Sequence, residues 1–262
     1  RVSEIERMSM YDRKILNLTL AKKKTPTGII LNDSEDISIV INGDDHIRLQ
    51  TFSVGISLYY LSEKANRIDD YINGHFDYAF NDKYGYLTTY PTNIGTGMRA
   101  AVILHLPAST QSKGFSKLVS GVGRFGVSVR GLYGEGKENF GALFEISNPK
   151  TLGISEKEII DTITKVANQL NTNERKLRES FLIEKRLEKQ DEAYKSFGVL
   201  KYARKLSLKD ALSFLSSLMA GSADGLIELA NESKLYSMMI GAQSSNLLKM
   251  AGRPLSEDEI DE

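Results

Sequence analysis

The chain has 262 residues, 34 basic and 34 acidic side chains, no cysteine and three histidines. That length can hold one large domain, or one with a smaller companion, and balanced charge supplies no global field towards nucleic acid or an anionic membrane. Without cysteine there are no disulfides, thiolate zinc sites or thiol nucleophiles, and His46, His75 and His105 leave little for a metal cage, so no protein-held metal is expected.

No signal-peptide pattern and no apolar run of about 18 residues is present, which reads as a cytoplasmic chain. It begins at Arg1, so a longer native chain is expected. In chain order, "GIILN" and "ISIVIN" flank the polar turn "DSED" as a hairpin between Gly28 and Ile41. A helical pattern runs from Phe52 to Asp70, with Val54, Ile56, Tyr59, Leu61 and Ile68 apolar. "MRAAVILHLPA" reads as a strand buried on both faces, and "VSVRGLYGEG" and "FGALFEISN" as two further strands. Short turns between strand pairs favour an α+β fold, an antiparallel β-sheet flanked by helices.

Beyond Asn148 the composition turns helical. Ser155 and Glu158 spell a capping box, "SLKDAL" begins with a second Ser-x-x-Asp cap, and a domain boundary is expected at 170/171, with an all-helical unit over 171–262. Ser256 and Glu259 repeat the capping box with no helix expected after it. His75 and His105 have no visible partner, His46 reads as a structural hydrogen-bonder in its turn, and Met238 and Met239 read as helix filler.

Two glycine patterns, "GVGRFG" at 121–126 and "GTGMRA" at 95–100, match dinucleotide fingerprints, but both lead into strand-like segments rather than opening a helix, which excludes that use. No P-loop is present. Three arginines beside glycine-bearing or acidic turns remain: Arg48 in "INGDDHIRLQ", Arg99 in "GTGMRAAV" and Arg130 in "VRGLYGEG". Guanidinium forks suit phosphate oxygens, although spacing alone favours reading each as a surface cation at a strand end. Asp44, Asp45 and Glu135 are the carboxylates nearest to them in sequence.

Taken together and in order, "INGDDHIR", "YLTTYPTNIGTGMRAAVILHLP" and "RFGVSVRGLYGEG" resemble the signature blocks of the ATP:guanidino phosphotransferases. "NIGTGMRA" and "SNPKTLGISEKEII" are most similar to the bacterial protein-arginine kinase branch, the McsB type. The resemblance implies a glutamine-synthetase-like catalytic sheet and transfer of the γ-phosphoryl group of ATP to a guanidinium nitrogen. It places Arg48, Arg99 and Arg130 on the phosphates, with Ala100, Ala101, Val102, Ile103, Gly131, Leu132, Tyr133, Gly134 and Glu135 lining the nucleotide site. Glu135 falls where the family holds the substrate guanidinium, Asp44 where it has a second carboxylate, and the glycines of "NIGTG" would let backbone approach the nucleotide. Magnesium is expected to arrive with ATP.

The resemblance further implies arginine-bearing protein substrates, among them a stress-response repressor and misfolded proteins, a zinc-binding activator, and a homodimer contact through the helical unit. The chain departs from the family at Tyr90, which stands at the active-site cysteine, and at Gly43 and Asp44, which replace two glutamates. Near Lys14 the family tends to have a nucleotide-contacting histidine, and Ile260 falls at the arginine of its phosphoarginine-reading motif. An impaired pseudokinase, or a kinase-derived nucleotide- or arginine-binding module, stays open as the alternative.

Overall fold

The computed structural model describes residues 2–133, 139–231 and 234–262. Two short helices come first, α1 (Glu4–Asp12), capped by the Ser3 hydroxyl, and α2 (Leu18–Lys22), capped by Asn17. Between them the chain reverses at Lys14, whose φ of 66° closes α1 with bonds from Lys14 N to Tyr11 O and from Ile15 N to Met10 O. Strands β1 (Gly28–Leu31), β2 (Ile37–Ile41) and β3 (Ile47–Thr51) form an antiparallel sheet in that order, so the hairpin read between 28 and 41 is present. Val40 anchors this sheet under Met10, Ile15, Leu16 and Leu20 of the α1–α2 segment.

Helix α3 spans Leu58–Asn73 and not Phe52–Asp70. Phe52 N bonds to Asp36 O, which holds the chain extended past β3, and Val54, counted as a buried position of the expected helix, is 98% exposed. A two-residue hairpin follows, β4 (Phe80–Asn81) with β5 (Gly85–Tyr86), then a 3-10 turn at Pro91–Asn93.

The second three-stranded sheet is antiparallel in the order β6 (Ala101–His105), β8 (Leu143–Ser147), β7 (Ser128–Gly131), with α4 (Pro107–Gln111) and α5 (Phe115–Gly123) between β6 and β7. "GVGRFG" is therefore the end of α5 and the turn into β7. One sheet face carries Val102, Phe144 and Ile146 into a core completed by Val122, Ile159, Ile163, Val166 and Leu170. Each aliphatic side chain so buried contributes about 1.5–3 kcal/mol. The other face is open: Ala101 is exposed and Ile103 is 38% exposed, so β6 is buried on one face, not two.

Helix α6 runs from Glu156 to Tyr202 behind the expected Ser155–Glu158 capping box. It passes through 171 without interruption, because burial of Leu170 and Glu174 outweighs the weak helix propensity of Asn171, Thr172 and Asn173. Its non-helical residue is Lys185, at φ −140° and ψ 35°. Helices α7 (Leu208–Ala223, with the Ser207 cap) and α8 (Lys234–Gly241) complete a second core of Leu212, Leu215, Leu218, Ile227, Leu235 and Met239, and α9 (Ser244–Ala251) follows. The box at Ser256 does open a helix, α10 (Glu257–Asp261), held by the Leu206 N to Asp261 O bond.

The two ends of the chain meet. Ser9 Oγ on α1 donates to Asn246 Oδ1 on α9 at 2.7 Å, and Ser245 N donates to Asp12 at 3.2 Å.

Candidate functional site

Alternation along an antiparallel strand decides which side chains reach the open face. Ile103 on β6, Glu145 on β8 and Arg130 on β7 share one register row across the sheet. The guanidinium of Arg99, entering from the loop before β6, joins them: burial lowers its pKa first, the nearby Arg130 charge lowers it further, and Glu145 opposes both. Lys14 approaches from the α1–α2 reversal, its pKa lowered by burial and raised back by Glu145 and Asp12, with Nζ 5.2 Å from the centre of the Tyr133 ring. Arg130 thus shares a register row with Glu145, and Arg99 and Lys14 come near enough to Glu145 for its charge to act on both.

Two like charges brought together on a surface lower each other's affinity for protons and raise the site's affinity for anions. A polyphosphate fits this donor set, since forked guanidiniums take its oxygens in pairs and Lys14 adds a point charge. Among the described residues no three His, Cys, Asp or Glu side chains cluster as a metal site.

Arg99 is aimed by its own loop. Nη1 donates to Asn148 O at 2.5 Å and Nε to Asn93 Oδ1 at 3.2 Å. Asn148 is buried, accepts from Ala100 N at 2.8 Å, and donates to Met98 O at 3.0 Å and Lys150 O at 3.1 Å. It joins the 98–100 segment to the end of β8. The sequence held no sign of this beyond an asparagine before a proline.

Arg48 belongs to the first sheet. Its charge neighbour is Asp44, not Arg99 or Arg130; burial lowers its pKa, and Nη1 is buried without a partner among the described residues. Gln50, its amide turned to suit both neighbours, accepts from Arg48 Nη2 at 2.9 Å and donates to Ile15 O at 2.8 Å, next to Lys14.

In the acidic block, Asp44 is engaged by Asn17 Nδ2 at 2.6 Å. Asp45 instead reaches the loop around Tyr90, accepting from Thr89 N at 2.6 Å and Asn93 Nδ2 at 3.4 Å. Tyr90 is 44% exposed and opens the 3-10 turn, with its carbonyl accepting from Thr88 Oγ1.

Several lining residues sit otherwise than expected. The side chains of Ala100 and Val102 point into the first core, leaving Ala101 and Ile103 on the open face. Leu132 and Tyr133 pack into the helical core because β7 ends at Gly131 and the chain turns under α7 and α8, and burial raises the Tyr133 hydroxyl pKa. Gly131 is exposed at the end of β7 but pairs with Phe144 of the core face, while Gly134 and Glu135 lie outside the described residues.

Of the glycines of "NIGTG", Gly95 packs backbone against backbone, while Gly97, at φ 68°, has only Asn93 O, at 3.9 Å, near its Cβ position. At Gly95, φ is 110° and a Cβ would stand 2.5 Å from Thr151 O; at Gly85, φ is 77° and a Cβ would stand 2.5 Å from Gly95 O. Backbones stack there with no room for a side chain. Thr151 locks the stack by donating to Ile94 O at 2.7 Å.

Among the histidines, His105 has a partner 111 residues away that no local spacing could reveal: Nε2 lies 2.8 Å from Ser216 Oγ. His75 Nδ1 contacts Tyr71 O at 2.8 Å, and Met239 is core while Met238 is exposed.

Comparison with known proteins meets this geometry. The family model described as the ATP:guanido phosphotransferase C-terminal catalytic domain matches residues 1–177, and that of the protein-arginine kinase McsB C-terminal domain matches residues 186–262. Protein-arginine kinase of Halothermothrix orenii is 39% identical over 258 residues, 98% of this chain and 74% of that protein. That of Bacillus subtilis is 38% identical over 89% of this chain and 64% of its own length. Among solved structures, the duplicated taurocyamine kinase from Schistosoma mansoni with bound transition state analog components overlays with a TM-score of 0.59 at 25% identity, over 69% of this chain and 26% of that one. Lombricine kinase overlays with a TM-score of 0.58 at 23% identity, over 69% of this chain and 53% of its own. This chain therefore spans about a quarter and about half of those two solved chains, and about three quarters of the Halothermothrix relative. An antiparallel sheet with an open arginine-bearing face and a helical C-terminal unit, matched by both family models in order, places the chain in the ATP:guanido phosphotransferase family, among the protein-arginine kinases.

Proposed function

We propose that this chain transfers the γ-phosphoryl group of magnesium-bound ATP to a guanidinium nitrogen of arginine side chains in protein substrates. The observation that carries it is the pairing of Arg99 and Arg130 around Glu145 on the open face of β6-β8-β7. In the reaction the bond between the γ-phosphorus and the β,γ-bridging oxygen breaks, a phosphorus–nitrogen bond forms, ADP leaves and the guanidinium gives up a proton. Arg99, Arg130 and Lys14 would hold the phosphates and take up charge developing on the leaving group; positioning and charge stabilisation supply most of such catalysis. Arg48 would add a fourth cation from the first sheet. The proton would pass to a carboxylate of the acidic block or to Glu135.

The same reading makes Lys185, between the two matched segments, the division between catalytic and helical units. It also carries a cytoplasmic location, regulatory and misfolded proteins as substrates, a zinc-binding activator and a dimer contact through the helical unit, all from kinship. Among the described residues no helix is long and apolar enough to cross a membrane.

A second reading, a phosphate- and arginine-binding protein with little turnover, is favoured by Asp44, which is committed to Asn17, and by Tyr90, whose ring is far larger than a cysteine side chain. Incubating the chain and its Tyr90→Cys variant with Mg-ATP and an arginine-rich protein, then measuring acid-labile phosphoarginine by mass spectrometry, separates the two. Product from the chain as it stands supports the kinase. Product only from the variant supports the second reading, and none from either removes the support for catalysis.

A further inference from the structure

Residues 68–82 contain four aspartates, Asp69, Asp70, Asp77 and Asp82, with Arg67 just before them and Lys83, whose Nζ lies over the Tyr84 ring, in the hairpin turn. Asp69 lies beside Glu156 in the first turn of α6, and the pKa of Glu156 is raised, by burial first and then by Asp69. Neither carboxylate takes part in an ion pair among the described residues. Carboxylates near enough to raise each other's pKa favour a nearby cation.

Aromatic rings extend from this pair across the surface. Tyr78 Oη donates to Asp69 at 2.9 Å; Tyr78 and Phe80 both meet Tyr86 edge-on, at ring distances of 5.9 and 5.1 Å. Phe80 is 57% exposed, and Tyr71 and Phe76, at the end of α3, are 70% and 66% exposed. Tyr86 also pairs with Gly95, so the patch is continuous with the loop that carries Tyr90 and Arg99. Exposed rings clustered in one place mark an interaction surface, and rings interleaved with carboxylates select a flat, delocalised cation over a compact ammonium.

We propose that the end of α3 and the β4–β5 hairpin form a docking surface for an arginine-rich segment of a protein substrate, apart from the arginine that reacts. The identity of the partner rests on the kinase reading, but docking itself needs neither nucleotide nor turnover. Rings would stack on guanidiniums of the bound segment while Asp70, Asp77 and the Asp69–Glu156 pair supply the field that draws it in.

The test is fluorescence anisotropy of the full chain, without nucleotide, with a labelled Arg-Ser repeat peptide and a Lys-Ser peptide of equal charge. The arginine peptide is expected to bind more tightly. The double variant Phe76→Ser/Phe80→Ser should lose about fivefold or more in affinity for it while changing the lysine peptide little, as expected when cation–π contacts are removed. Asp70→Asn/Asp77→Asn, which keeps every side chain's shape, should weaken both peptides and flatten the salt dependence. Unchanged affinities in both variants would overturn the proposal; so would equal binding of the two peptides, or sedimentation showing that the rings are covered by a second copy of the chain. If the peptides behave as expected but no phosphoarginine forms, the docking surface stands and the kinase reading falls.

Discussion

Asn148 offers the sharpest test of how this fold aims Arg99. Its side chain makes three hydrogen bonds, with Ala100 N, Met98 O and Lys150 O, and its carbonyl accepts from Arg99 Nη1. Asn148→Ala removes all three side-chain bonds and strands polar backbone next to the buried Ala100; at roughly 1 kcal/mol each, the loss is about 3 kcal/mol. For a chain of this size that corresponds to a fall in Tm of about 6–12 °C. Asn148→Asp is the more pointed change, because a carboxylate of the same shape would face two carbonyl oxygens where the amide NH2 donated, and it should destabilise at least as much. Thermal and urea unfolding measure both, and nucleotide affinity should fall in parallel because the loop that carries Arg99 is released. An Asn148→Ala protein that melts within about 2 °C of the parent, with unchanged ATP affinity, would refute the reasoning.

Other consequences follow from buried groups. His105 is held neutral, its pKa lowered to about 4, first by burial and then by Arg178. Because the unfolded chain binds that proton near 6.5 and the folded one does not, stability is present above pH 6.5 and is lost as pH falls towards 4. At about 1.4 kcal/mol per pKa unit, the loss between pH 7 and 5 is about 2 kcal/mol; urea midpoints should show His105→Gln lacking this component. Glu174, buried, accepts from Ala108 N at 2.8 Å and Ser109 N at 2.7 Å, capping α4. Glu174→Gln turns an NH2 towards one of those donors and should cost about 2–3 kcal/mol by urea unfolding; a midpoint equal to the parent's would contradict the cap. Gly95→Ala would place a methyl 2.5 Å from Thr151 O at a φ of 110°, and should yield a protein that is insoluble or melts at least about 10 °C lower.

Much of this protein is legible from local pattern. Strands β1, β2, β6, β7 and β8 follow from β-branched and apolar runs between turn residues, and helices α6 and α7 from Ser155 and Ser207, since capping and periodicity are properties of a few consecutive residues. Local pattern misled where a tertiary bond took over. Phe52 N went to Asp36 O instead of starting a helix, and "NTNE", whose letters suggest a break, lies inside α6 with Leu170 before it and Glu174 within it buried.

Three arginines were visible as candidates for phosphate contact, but only strand order could show that Arg130 joins Arg99 around Glu145 while Arg48 stays on the other sheet. Likewise Asp44 and Asp45 are equivalent as letters, and the turn between β2 and β3 sends the second towards Tyr90. The sequence by itself determined the residue types, the caps and the alternating strand faces, because those depend on neighbours along the chain. Which charges share a site was decided by the tertiary structure alone, because strand pairing and helix packing bring together residues whose distance along the chain carries no information about their distance in space.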